Sequence, residues 1–129
     1  MNRTRYALLV ARAIWELARY DLVSAMLGFR HIHRQMARQR VAARSIQPER
    51  EALVCEAVGL AACFYYKPVL CLQRSVVATL LLRRHGIHGR LVIGYRPAPF
   101  FSHAWVEVDG RVVNDSPAYK ERLRVLCTA

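Results

Sequence analysis

The spacing of apolar residues changes once along this chain, near residue 86, and that change fixes the order in which its layers are built. From about residue 4 to residue 40, Leu8, Trp15, Leu22, Phe29 and Met36 recur every seven positions, with Ala11, Ala18, Ala25 and Ile32 at the complementary sites. The pattern predicts one long helix, or two with a break near Gly28. Alanine along such a seam lets a second helix approach closely while the large residues supply burial. Packing within the molecule is the simplest use of the seam, and its length leaves part of it, around Trp15, Leu22 and Phe29, for a partner to dock on. Pro48 suits the first turn of a second helix over residues 48 to 64, because Glu49 and Glu51 follow where the helix dipole favours acids. Leu53, Val54, Val58, Leu60 and Ala61 supply its apolar face. Pro68 interrupts the pattern, and a third helix is expected from residue 71 to 84, closed by Gly86. Beyond it RLVIGYR reads as a short buried strand and RPAPF as a proline-rich loop, while HAWVEV and RVVND form a hairpin about Asp109 and Gly110. Helices followed by antiparallel strands define an α+β fold, N-terminal helices packed on a small sheet.

A chain of 129 residues, 54% hydrophobic and 22% charged, holds one globular core. Within that domain the basic segment ARQRVAARSIQ divides residues 1–44, an amphipathic helical region with its linker, from residues 45–129, the remaining core. Arg12, Glu16, Arg19 and Asp21 interrupt the most apolar N-terminal stretch, so no membrane span is expected. That stretch is amphipathic and no small-residue cleavage site follows it, which argues against a signal peptide and for the cytoplasm. Cys55, Cys63, Cys71 and Cys127 lack C-x-x-C spacing, so reduced thiols are expected. His31, His33, His85 and His88 lack a regular Cys/His ligand pattern, and neither a metal nor another cofactor is expected. The net charge is +11, and the first fifty residues hold ten arginines against Glu16, Asp21 and Glu49, a share of +7. No interleaved aromatics and no helix-turn-helix signature accompany these arginines, so nucleic acid is not an expected ligand. An acidic peptide or acidic partner protein fits the charge as well as a solvated face does.

The chemistry-bearing residues lie where the two halves meet. Cys71 begins the third helix, and unpaired backbone N–H groups with the helix dipole favour a thiolate there. His103 and Asp115 follow on successive strands, in the chain order of a papain-type or transglutaminase-type nucleophilic site. In that arrangement Cys71 is the nucleophile, His103 moves the proton and Asp115 orients the imidazole. The backbone N–H groups of Cys71 and Leu72 are candidate oxyanion donors, with Gln73 as an additional one. Asp109, as a turn residue, should face solvent. Asn114 could also orient an imidazole, as Asn does in papain-like sites, but in a bulged hairpin register it alternates to the other face of the sheet.

The hairpin register decides whether the last two members can meet. A two-residue turn at Asp109 and Gly110 would set His103 across from Ser116 and send Asp115 to the opposite face. A three-residue loop through Val108, Asp109 and Gly110, with Gly110 left-handed as a bulge, would pair Glu107 with Arg111, Trp105 with Val113 and His103 with Asp115. The bulged loop is therefore the expected one.

The segment CLQRSVVATLLLRRHGIHGRLVIGYRPAPFFSHAWVEVDGRVVND resembles the transglutaminase-like cysteine peptidases of lasso-peptide biosynthesis, the protease part of the B protein. The likeness is close over about residues 50 to 117, and the CL-x-RS and HAWVEVDG stretches carry most of it. It implies a papain/transglutaminase-like fold and a leader peptidase that cuts a ribosomally made precursor, releasing the core peptide for a separate ATP-dependent macrolactam synthetase. By position it implies Cys71 as nucleophile, His103 as base and Asp115 as orienting acid. Nothing here reads as the winged-helix leader-recognition domain of fused members, so the split form is implied, with recognition on a separate protein. A transglutaminase or amine acyltransferase with the same triad, and a non-catalytic basic binding module, remain open as alternatives.

Overall fold

A computed structural model describes residues 2–39 and 48–129. The boundary expected at residues 44 and 45, and most of the basic linker, lie outside the described residues. Helix α1 spans Arg3–Leu27 and α2 Phe29–Arg38. Gly28 separates them with φ of 78°, so the seam runs on two helices. Helix α3 covers Pro48–Phe64 and α4 Cys71–Arg84, both at their expected limits. Strands β1 (Gly89–Pro97), β2 (Phe100–Val108) and β3 (Arg111–Val112) follow, then a short helix α5 (Ala118–Arg122) and strand β4 (Arg124–Thr128). The four strands form one antiparallel sheet in the order β3-β2-β1-β4. Rather than an open loop, RPAPF makes a tight hairpin whose strands close at Pro97 and Phe100.

Helix α4 is the centre of the molecule, with every residue from Ser75 to Arg83 buried. One side of it meets Val54, Val58 and Ala61 of α3 and Leu9, Ala13 and Leu17 of α1; the other meets Ala104, Val106 and Val108 of β2. Arg83 ties three elements together, because its guanidinium donates to the Met36 carbonyl that ends α2 and to Gly89 O that begins β1. Carbonyls at a helix C-terminus carry the partial negative charge that a buried cation without a carboxylate needs.

The seam expected to pack inside the molecule does not do so along α1. Leu8, Trp15 and Leu22 are 65%, 58% and 61% exposed, while Leu9, Ala13, Glu16 and Leu17 are buried. Spacings of three and four residues track the face of a straight helix, whereas a strict seven-residue repeat drifts off it unless another helix coils around it. After the break at Gly28 the seam re-enters the core through Ile32 and Met36, against which Phe29 packs.

The second hairpin also departs from expectation. Asp109 and Gly110 have φ of 51° and 77°, and Val108 pairs directly with Arg111. Aspartate tolerates the left-handed region, so Asp-Gly fills both central positions of a two-residue turn and no bulge is required. Glu107 stands across from Val112 rather than Arg111, and Val113 N donates to Val106 O rather than lying across from Trp105. Arg111 reaches the buried Glu51 instead, at 3.4 Å.

Candidate active site

Despite that register, His103 Nε2 and Asp115 Oδ2 lie 2.7 Å apart, the side chains only 12% and 20% exposed. The residue that reconciles the two observations is Asn114. In a regular ladder Val106 N would donate to the Val113 carbonyl, completing the pair that Val113 N opens. Asn114 Oδ1 accepts from Val106 N instead, at 2.8 Å, and β3 stops at Val112. Once the ladder ends, the chain is released from strict alternation and Asp115 turns to the face that His103 occupies. Asn114 Nδ2 donates to Ser75 Oγ at 3.1 Å, and Ser75 Oγ donates to Ala104 O at 3.2 Å, which locks the released segment onto α4. Asn114 thus faces α4, but because the ladder ends and not through alternation in the expected bulged register, and its carboxamide bonds Val106 N and Ser75 Oγ rather than the imidazole.

Asp115 is held from three sides. Its Oδ1 accepts from Ser116 N at 2.8 Å, and Arg74 Nη2 of α4 stands 3.6 Å from the oxygen that meets His103. Cys71 lies three residues before Arg74 and four before Ser75, a spacing that places all three along one side of the first two turns of α4. The helix turn that carries the thiol is therefore the one that grips the loop bearing Asp115. With the carboxylate bound at Nε2, Nδ1 is the ring nitrogen left for a second partner, and Nε2–H donating to Asp115 makes Nδ1 the acceptor. Among the described residues no hydrogen bond joins Cys71 Sγ to His103.

The start of α4 has donors to spare. Its N-cap Leu70 is extended and has no side-chain bond to the first turn, and the first intrahelical bond runs from Arg74 N to Leu70 O. The N–H groups of Cys71, Leu72 and Gln73 thus have no partner within the helix. The side chain of Gln73 is buried and its Nε2 donates to Leu17 O at 3.0 Å, which ties it to the interface with α1.

Aromatic rings wall the imidazole. Tyr119 stacks on His103 with centroids 3.9 Å apart, and Trp105 lies on the same strand face at 6.4 Å. Trp105 can lie there because Gly94, the β1 partner of His103, leaves room: a Cβ at Gly94 would sit 2.5 Å from Trp105 Cη2. Trp105 Nε1 donates to Glu107 Oε2 at 2.9 Å, and Lys120 lies beyond it, so Glu107 is not free to compete for the imidazole. Asp109 is exposed at the turn, as its sequence context implied.

The other thiols occupy unlike surroundings. Burial, with Glu51 nearby, pushes the Cys55 thiol up to about 12. Cys63 is exposed on α3, Cys127 is half-buried on β4, and all four cysteines are free. His85 caps α4 and His88 is exposed. Among the described residues no group of His, Cys, Asp and Glu could hold a metal ion, and no helix is long and apolar enough to cross a membrane. Arg74 and Ser75 were not singled out from sequence, although their spacing from Cys71 on a helix was a usable signal. Tyr119 had none, because α5 is only five residues long.

A central helix opening on a cysteine, stacked on an antiparallel sheet that carries a histidine bonded to an aspartate, is the layout expected of a transglutaminase-like protein. The chain belongs to the Transglutaminase-like superfamily, whose family model matches residues 14–128. It is also similar to the microcin J25-processing protein McjB of Escherichia coli, at 45% identity over 56 residues. That alignment spans 43% of this chain and 27% of the relative. No solved structure matches the chain.

Proposed function

We propose that this chain is a cysteine peptidase that removes the leader from a ribosomally made lasso-peptide precursor. The observation that carries the proposal is the 2.7 Å bond between His103 Nε2 and Asp115, which leaves Nδ1 as the ring nitrogen available for proton transfer. Similarity to a protein that processes microcin J25 supports the choice of substrate. In this reading the Cys71 thiolate attacks the scissile carbonyl, forming the C–S bond while first-turn N–H groups of α4, those of Cys71 and Leu72, take up the developing oxyanion charge. The His103 imidazolium, stabilised by Asp115, gives its proton to the departing amine as the C–N bond breaks. Water then loses a proton to His103 and attacks the thioester, which frees the leader carboxylate and restores the thiolate.

A separate leader-recognition protein, a small winged-helix domain, brings the precursor, and the macrolactam synthetase takes the released core peptide, all in the cytoplasm. The exposed stripe of Leu8, Trp15 and Leu22 on α1 is the surface that favours docking of the recognition protein, while Phe29 is spent on packing against α2 residues. The test is cleavage of a lasso precursor, with the recognition protein present, in water enriched in oxygen-18. Hydrolysis through an acyl-enzyme places one heavy oxygen in the new leader carboxylate, and Cys71→Ala abolishes the product. A product joined to an added amine would show an acyltransferase instead, and undiminished cleavage by Cys71→Ala would exclude the mechanism.

A further inference from the structure

Beside His103, on the side away from α4, the surface opens into a recess of about 200 Å³ lined by Arg96, Phe101, Tyr119, Arg122 and Leu123. Its volume suits one amino-acid side chain. Tyr119 is a wall of the recess and also the ring stacked 3.9 Å from the imidazole, so whatever occupies the recess sits one aromatic ring from His103. Phe101 lies 6.3 Å from Tyr119 and nearly parallel to it, and Leu123, buried against Trp105, forms the floor. The walls are apolar, yet the rim carries two cations. The Arg96 guanidinium is held in place, its Nε donating to Pro99 O at 3.2 Å and its carbon 5.7 Å from the Phe101 ring centre. Arg122 is exposed at the end of α5. Among the described residues neither arginine makes an ion pair, although Arg12, Arg19, Arg74 and Arg111 all do.

We infer that this recess is a substrate subsite for an aspartate or glutamate close to the scissile bond, a specificity that rests on the peptidase reading. Guanidinium groups bind carboxylates through paired N–H donors, and they do so more strongly where aromatic walls exclude part of the water. A lysine or arginine in the same place would be repelled by both cations, so the site discriminates by rejection as well as attraction. A neutral aromatic side chain would cover the apolar walls but leave the cations unmatched.

Two measurements on the full chain test the subsite. The first presents wild-type protein with a positional-scanning library of decapeptides and sequences the products by mass spectrometry. Asp and Glu should be enriched at least tenfold over Lys at one position within two residues of the cut. Arg122→Glu and Arg96→Glu, both at exposed positions, should invert the preference, and the milder Arg122→Gln should flatten it. The second titrates the isotopically labelled Cys71→Ala protein with peptides Ala-Ala-X-Ala-Ala, X being Glu, Lys or Phe, and follows the amide resonances of Phe101, Tyr119 and Arg122. The Glu peptide should bind with a Kd at least tenfold below the Lys peptide, with the order reversed in Arg122→Glu. A library cut without acidic preference, a preference for Phe, or one unchanged by charge reversal overturns the subsite while leaving the peptidase reading intact. Glu-selective binding with no cleavage of a lasso precursor even when the recognition protein is present sinks the peptidase reading and leaves an acidic-peptide site.

Discussion

Asn114 shows how a single side chain can alter the meaning of a register. Its carboxamide accepts from Val106 N and donates to Ser75 Oγ, ending β3 and passing the strand's last hydrogen bond to α4. His103 and Asp115 were legible as partners because of their residue types and their setting, but the route by which they meet was not. Alternation along an intact ladder forbids the pair in a two-residue hairpin, and the bulge expected to rescue it proved unnecessary. A side chain that mimics a backbone carbonyl leaves little trace in a hydrophobic pattern. Asn114→Ala should cost about 1–3 kcal/mol in a urea titration, the range for leaving partly buried hydrogen-bonding groups unmatched. It should also depress peptidase kcat well beyond any effect on KM, because Asp115 loses its anchor. An Asn114→Ala protein of unchanged kcat would show that the loop holds Asp115 without it.

At the scale of elements, the helices were legible because punctuation marked them: Pro48 opens α3, and Gly86, with φ of 77°, follows the end of α4. Strand β4 was not, since its first three residues are exposed and give no burial alternation. The α1 seam misled for a physical reason, the seven-residue repeat being a signal for a partner helix that the described residues do not supply. Paired substitutions separate the two faces. Leu17→Ala, at a fully buried position, should destabilise by about 2–5 kcal/mol. Trp15→Ala should stay within about 0.5 kcal/mol of wild type. A large loss from Trp15→Ala in the isolated chain would mean that the stripe is covered intramolecularly. The end of α4 makes a separate prediction. Burial, together with the charges of Arg50 and Arg84, holds the His85 pKa below its usual 6.5. The unfolded chain therefore takes up this proton at higher pH than the folded one, so its contribution is intact above pH 6.5 and is lost as pH falls through the folded value. The stability of His85→Gln should fall less steeply over that window, which thermal melts at stepped pH would register. Parallel slopes for the two proteins would remove His85 from the account.

Across the whole molecule, α4 does two jobs with one set of residues. Its buried middle joins α1 and α3 to the sheet, and its first two turns carry Cys71 and clamp the segment bearing Asp115. The site is thus placed by the same packing that holds the domain together. Composition and periodicity made the α+β plan readable, and three residue types in order marked the candidate site. The aromatic and arginine surround of His103 was not, because Arg96, Phe101, Tyr119 and Arg122 come together only through β1, β2 and α5. The net charge of +11 spreads over both halves and does not by itself mark the site. One thiol of four, Cys71, should carry the proposed reaction. Limited alkylation with iodoacetamide, mapped by peptide mass at each cysteine, measures that directly against residual cleavage of a lasso precursor. Activity should fall in proportion to modification of Cys71 and be independent of modification at the exposed Cys63, with Cys55 remaining unmodified throughout. Cleavage that survives complete alkylation of Cys71 would contradict the central claim.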